Sequence, residues 1–245
     1  MSLQTQGVGV ARGRPVDLTR SGPWFGGMLV VALVAFWPSY LSRLGASTAY
    51  THLHALMATT WILMLIVQPT LMRIRRLAAH RMLGRVSYAV APMVVVSVVL
   101  LGHSRIAGLD GPAYDQQTYL LYLQTSLALL FAGCYGAAVA TRHTMALHAR
   151  FMVCTAFTFI DPVVVRLLLW ADAPPPWNYQ WLTFALTDLV LVGLIVADRG
   201  ARKGRWVWPV MLPVFVLAQL PAVLGMTRSG AWQAFARWFQ ELPLT

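Results

Sequence analysis

Apolar positions along the chain come in long runs, not in the short alternating stretches of half-buried strands or the narrow stripes of soluble helices. Seven runs are long enough to cross a bilayer's hydrocarbon core, which takes about 20 mostly apolar helical residues. They cover residues 23–43, 52–72, 85–105, 118–141, 151–170, 179–197 and 206–225. The connectors are short and carry Gly, Pro or charge, as at 108–114 and at 173–178, where Pro174, Pro175 and Pro176 cannot continue a helix. The pattern predicts an all-α fold, a polytopic membrane protein built as one seven-transmembrane-helix bundle. A tail (1–22) precedes the membrane domain (23–226) and a segment (227–245) follows it. In that last segment Trp232, Phe235, Trp238 and Phe239 recur at helical spacing, which predicts an amphipathic helix lying on the membrane surface.

Composition sharpens this reading. Of 245 residues, 58% are hydrophobic and 11% charged, against about 25% charged in soluble domains. Too few charges remain to cover a water-soluble surface, which excludes soluble enzymes, nucleic-acid-binding modules and secreted disulfide scaffolds. The net charge of +11 reads as orientation and headgroup contact, with no nucleic-acid partner implied. Arg12, Arg14 and Arg20 in the tail share one side with Arg73, Arg75, Arg76, Arg81, Arg85, Arg142, Arg150, Arg199, Arg202, Lys203 and Arg205. Arg43, Arg105, Arg228 and Arg237 fall on the other. By the positive-inside rule the N-terminus is cytoplasmic and the C-terminus external. Ala46-Ser47-Thr48-Ala49 looks like a signal-peptide cleavage site, but the long tail, Arg43 and Phe36-Trp37 predict a retained span.

Cys134 and Cys154 lie inside spans and read as small buried apolar residues. Ala132, Gly136 and Ala140 form a small-xxx-small ridge, which predicts close approach of span four to a neighbour.

The six histidines fall at two depths. His52, His54 and His103 sit near the external ends of spans two and three, and His80, His143 and His148 at the cytoplasmic ends of spans three to five. From His80 to His103 is 23 residues, or about 34 Å at about 1.5 Å per residue, so the two groups cannot share one site. Imidazoles paired across helices at one depth are what axial ligation of haem b requires. The outer candidates are His54 with His103, and the inner ones His80 with His148. Such a protein would pass electrons between a quinone or small reductant and a redox partner protein. On span two, His54, Met57, Trp61, Met64 and Gln68 fall on one helical stripe. Zinc or copper could use the same imidazoles at His54, His103, His80, His143 or His148. A metal-dependent hydrolase would need His80, His143 and His148 to converge, and no positioned acid accompanies them. Histidine is also common at membrane interfaces without any ligand duty.

A second constellation is ionisable and deep. Asp161 and Asp188 each lie about 10 residues from a span end, hence roughly 15 Å from either face. Arg166 follows Asp161 by about one and a half turns. A spacing of five is poor for pairing on one helix, and Pro162 breaks the ladder there, so Asp188 on the neighbouring span is expected to be the better partner. The group is either a structural ion pair or the catalytic or transport site of a proton-coupled permease.

Two segments carry a family resemblance. His80-Arg81-Met82-Leu83-Gly84-Arg85-Val86-Ser87-Tyr88 and His148-Ala149-Arg150-Phe151-Met152, with Arg166 following His148 by 18 residues, resemble the motifs of a bacterial membrane family known as domain of unknown function 2306. Gln68 matches the glutamine that precedes the first motif there. The likeness covers residues 52–170 and departs from the family's pattern at Ala149, Ser87, Phe151 and His103. It implies a multi-pass protein of the bacterial inner membrane. In span layout and histidine placement the chain is distantly similar to transmembrane b-type cytochromes that carry two haems, which implies haem b. Arg81 and Arg85 also suit anionic lipid headgroups.

Overall fold

The computed structural model describes residues 16–170 and 179–245. Arg12, Arg14 and the proline connector at 174–176 lie outside them. Among the described residues the chain is helical throughout, without strands: α1 Gly22–Phe36, α2 Ala49–Arg73, α3 Leu77–Ile106, α4 Gly111–Ala140, α5 Met145–Phe157, α6 Ile160–Trp170, α7 Tyr179–Ala197, α8 Val207–Val223 and α9 Gly230–Gln240. Local chemistry sets several helix starts. Asp17 caps the 3₁₀ turn Leu18–Arg20 ahead of α1. The Thr19 hydroxyl, and then its amide and Arg20, hold the Asp17 carboxyl below the usual range against a small opposing burial effect. Thr48 caps α2 and Ser229 caps α9 through their side chains.

Six helical stretches are long and apolar enough to cross a membrane: Leu18–Phe36, Ala49–Arg73, Leu77–Ile106, Gly111–Ala140, Met145–Trp170 and Gln180–Ala197. The chain is therefore an α-helical, multi-pass membrane protein. Helix α8, where the seventh run was expected, is apolar but has 17 residues, with Pro213 and Pro221 inside it. Leu129, Leu189, Leu217 and Val223 stand exposed on the outside of the bundle, where water would be a poor solvent for them.

Neighbours in sequence pack as neighbours in space, and α1 lies against α6 across the bundle. Two apolar cores hold the helices together. In the first, Trp61 of α2 packs edge-on against Phe131 at 5.0 Å and Tyr135 at 5.3 Å, and its indole donates to Thr155 Oγ1 at 3.1 Å. The stripe of His54, Met57, Trp61, Met64 and Gln68 thus faces inward. In the second, Phe157, Trp208 and Phe215 join α5 to α8, with the buried Cys134 and Cys154 beside them. The small-residue ridge behaves differently from expectation. Ala132, Gly136 and Ala140 are exposed, and a Cβ on Gly136 would meet nothing within 4 Å. The close crossing is elsewhere, at Gly22 of α1, where a Cβ would come within 2.9 Å of the Ile66 carbonyl of α2.

Helix α9 docks where α3 ends and α4 begins. Its Trp232 indole donates to the Thr118 carbonyl at 3.0 Å, and Gln240 donates to the Leu109 carbonyl at 2.9 Å. Ala236 and Phe239 are buried while Trp238 is exposed, so the aromatic residues divide between the bundle and its surroundings.

Candidate functional site

A break between α5 and α6 builds the deep site. Pro162 has no N–H to continue the helical ladder, so α5 ends at Phe157 and α6 begins at Ile160. Asp161 stands in the first turn of the new helix and is 4% exposed. It accepts hydrogen bonds from Gln180 Nε2 and Thr183 Oγ1 of α7. Both donors are uncharged.

Arg166 lies one turn further along α6. Its Nη1 donates to the Pro162 carbonyl at 2.9 Å, and its guanidinium carbon stands 4.3 Å from the centre of the Phe36 ring of α1. Among the described residues no carboxylate forms an ion pair with it. It lies within electrostatic reach of Asp161, of Arg105 and of His54. The expected pairing with Asp188 is corrected: Asp188 accepts from Gln219 Nε2 of α8 at 3.1 Å. The kink at Pro162 turns Arg166 toward α1 and α2, and Asp188 faces α8.

His54 of α2 completes the cluster. Its Nδ1 lies 3.1 Å from Ser97 Oγ of α3. That hydroxyl donates its single proton to the Val94 carbonyl at 2.7 Å, so Nδ1–H is the donor and Nε2 keeps its lone pair. Tyr119 of α4 is also within electrostatic reach of Asp161. Groups from α1, α2, α3, α4, α6 and α7 therefore converge on one polar patch, which runs from Asp161 toward the end of the bundle where α1 finishes and α2 begins.

The remaining histidines divide. His103 is 1% exposed, with Nδ1 2.6 Å from Thr245 Oγ1 and its ring edge-on to Phe239 at 5.3 Å. Its Nε2 is buried without a partner. Among the described residues no contact joins it to His54: His54 faces Ser97, and His103 faces the C-terminal segment. His52 Nδ1 lies 2.9 Å from the Tyr40 hydroxyl. On the opposite side His80 of α3 and His148 of α5 are within electrostatic reach of each other. His148 Nδ1 donates to the Ala138 carbonyl at 2.8 Å, leaving Nε2 for a ligand. Gln68 Nε2 donates to the His80 carbonyl at 3.3 Å, while Gln68 Oε1 and His80 Nδ1 are buried without partners. His143 is exposed in the turn before α5. Among the described residues no group of three or more His, Cys, Asp or Glu could hold a metal ion. The convergence of His80, His143 and His148 is therefore not found.

For haem, the donor chemistry of His80 and His148 fits bis-imidazole ligation, but the groove between α4, α5 and α8 touches neither side chain. That groove encloses about 530 Å³ between α4, α5 and α8. A small internal cavity of about 20 Å³ is lined by Asp161, Thr187 and Gln219. The two share Ser126, Leu130 and Ala218 as walls.

No family model matches the chain, and neither does any curated protein or solved structure.

Sequence reasoning missed several residues. Gln180, Thr183, Ser97 and Phe36 are ordinary span residues until the fold brings them to the charges. Arg150, counted above as a headgroup-facing arginine, is 5% exposed and forms a buried ion pair with Asp198 at 2.6 Å. Trp208 Nε1 at 2.9 Å and the Val16 amide at 3.2 Å complete the Asp198 carboxylate's partners. The available signal was an isolated acid, Asp198, among the arginines of one membrane face.

Proposed function

We propose that this chain is a proton-coupled carrier of an organic anion, with Arg166, Asp161 and His54 at its site. The carrying observation is the half-buried guanidinium of Arg166, which has an aromatic face and one carbonyl but, among the described residues, no carboxylate pairing it. A charge packed among helices is costly without a counter-ion, and a substrate anion would supply one. Asp161, held by the neutral donors Gln180 and Thr183, is the group that takes up and releases the accompanying proton. His54 Nε2 accepts a hydrogen bond from a protonated substrate or from water.

The arrangement we infer has seven spans, α8 being the last, in a bacterial inner membrane with the N-terminus inside and the C-terminus outside. The arginine asymmetry supports this, and a helix of 17 residues is at the lower limit of length for a span.

The test uses vesicles containing the purified protein and a trapped pH-sensitive dye, challenged with a panel of carboxylates. Wild type is expected to admit protons with a preferred anion, and Asp161→Asn and Arg166→Gln to lose at least about tenfold in rate, equivalent to about 1.4 kcal/mol on the barrier. Unchanged rates in both variants would overturn the proposal.

A second reading has one specific observation behind it. The His80–His148 pair, with its unpartnered His80 Nδ1, would ligate haem b in an electron-transfer protein that meets a quinone or a redox protein. It requires a coloured protein, with b-type absorption bands that weaken in His80→Ala and His148→Ala.

A further inference from the structure

The groove between α4, α5 and α8 names a substrate class for the carrier site. Along α4 its wall runs from Tyr122 to Ala137, about 22 Å at about 1.5 Å per residue. This exceeds the share of one leaflet in a hydrocarbon core about 30 Å thick. The volume of about 530 Å³ falls in the range of roughly 300–1,000 Å³ of ligand pockets. Two of its polar wall groups are already used: the Tyr122 hydroxyl donates to the Ala218 carbonyl at 2.8 Å and Ser126 Oγ to the Leu123 carbonyl at 2.9 Å, and Thr125 adds one more hydroxyl. What faces the groove is therefore mostly hydrocarbon. Trp232 of α9 closes the Tyr122 end, with its ring 5.2 Å from that of Tyr122.

The groove is not isolated from charge. Through Ser126, Leu130 and Ala218 it adjoins the small cavity at Asp161, and Asp161 is within electrostatic reach of Arg166. The cavity's 20 Å³ holds about one water, so a larger head group reaches the carboxylate only when these walls move apart. A long apolar slot whose wall adjoins a protonatable acid, with a half-buried cation within electrostatic reach of that acid, is complementary to one chemistry. We infer that the substrate is a single-chain amphiphile with a carboxylate head, its hydrocarbon chain in the groove and its head at Arg166 and Asp161. This rests on the carrier reading above.

Dibromostearate tests it, because bromine quenches tryptophan on contact and Trp232 lines the groove. The full-length protein in detergent is titrated as wild type, Trp232→Phe, Gly133→Phe, Leu129→Phe and Arg166→Gln. A Cβ on Gly133 would meet nothing within 4 Å, and Leu129 is 69% exposed, so two independent fillings of the groove are tolerated by the fold. Wild type is expected to quench saturably, and Trp232→Phe to lose most of that amplitude. Half-saturation should rise at least about tenfold in both filled variants and in Arg166→Gln. Equal, non-saturating quenching in wild type and the filled variants would mean bulk partitioning and overturn the inference. Weakening by the fillings but not by Arg166→Gln would make the occupant a structural lipid and overturn it too. If binding behaves as expected but Asp161→Asn leaves vesicle proton flux intact, the carrier reading fails while the binding site stands.

Discussion

Arg166 and Arg150 show how differently two arginines inside the bundle are treated, the first half-buried and the second buried. Arg150 meets the Asp198 carboxylate through Nε and Nη2 and the Ala146 carbonyl through Nη1. Removing either partner leaves the other charge buried and alone, which costs about 3–5 kcal/mol. Arg150→Ala and Asp198→Asn should each lower the thermal unfolding midpoint markedly, whereas Arg20→Ala, which breaks an exposed pair with Asp17, should leave it nearly unchanged. Equal midpoints for all three variants would contradict the structural role of the Arg150 pair. Arg166 has no such partner among the described residues, so Arg166→Gln should impair function far more than folding. The deep charges were visible in sequence because Asp161, Asp188 and Arg166 interrupt apolar runs. Their pairing was not, because it depends on how far the break at Pro162 rotates α6. The same holds for His54 and His103: their depth follows from counting residues, but the direction each ring faces is set by packing.

At the scale of elements, run length carried the reading. Six of the expected spans correspond to helices long enough to cross, since nothing but a helix satisfies the backbone of so long an apolar stretch in lipid. The position of α9 was legible from its aromatic spacing, but its docking on α3 and α4 was not, because Trp232, Gln233 and Gln240 bond to backbone or hydroxyl groups that leave no pattern in sequence. The Ala132–Gly136–Ala140 ridge misled for a related reason: small residues permit close approach without requiring it. Gly204 is a stronger constraint. It has φ +79°, and a Cβ there would lie 2.9 Å from the Ala146 carbonyl and 3.1 Å from Arg150 Nη1. Gly204→Ala should destabilise by about 1–3 kcal/mol, read from the unfolding midpoint. Gly193→Ala, in open space within α7, should not destabilise, and a reversed order would contradict the proposed packing of this loop on α5.

At the scale of the whole molecule, the proposed topology has an outcome of its own. The native Cys134 and Cys154 are buried, so a membrane-impermeant thiol reagent reports mainly on an introduced cysteine. Ser229→Cys should react in intact cells and Arg199→Cys only after the membrane is opened. The reverse pattern would invert the bundle, and reaction of both from one side would remove a span between them. Either orientation leaves two sites in opposite halves of the molecule, the Asp161–Arg166–His54 cluster and the His80–His148 pair. The most direct test of the central claim is therefore one vesicle proton-flux assay, with dibromostearate and shorter carboxylates as substrates, across variants of both. Asp161→Asn and Arg166→Gln are expected to abolish the coupled flux while His80→Ala and His148→Ala retain it. Loss in the histidine variants, with flux kept in Asp161→Asn and Arg166→Gln, would contradict the account and move the function to the imidazole pair.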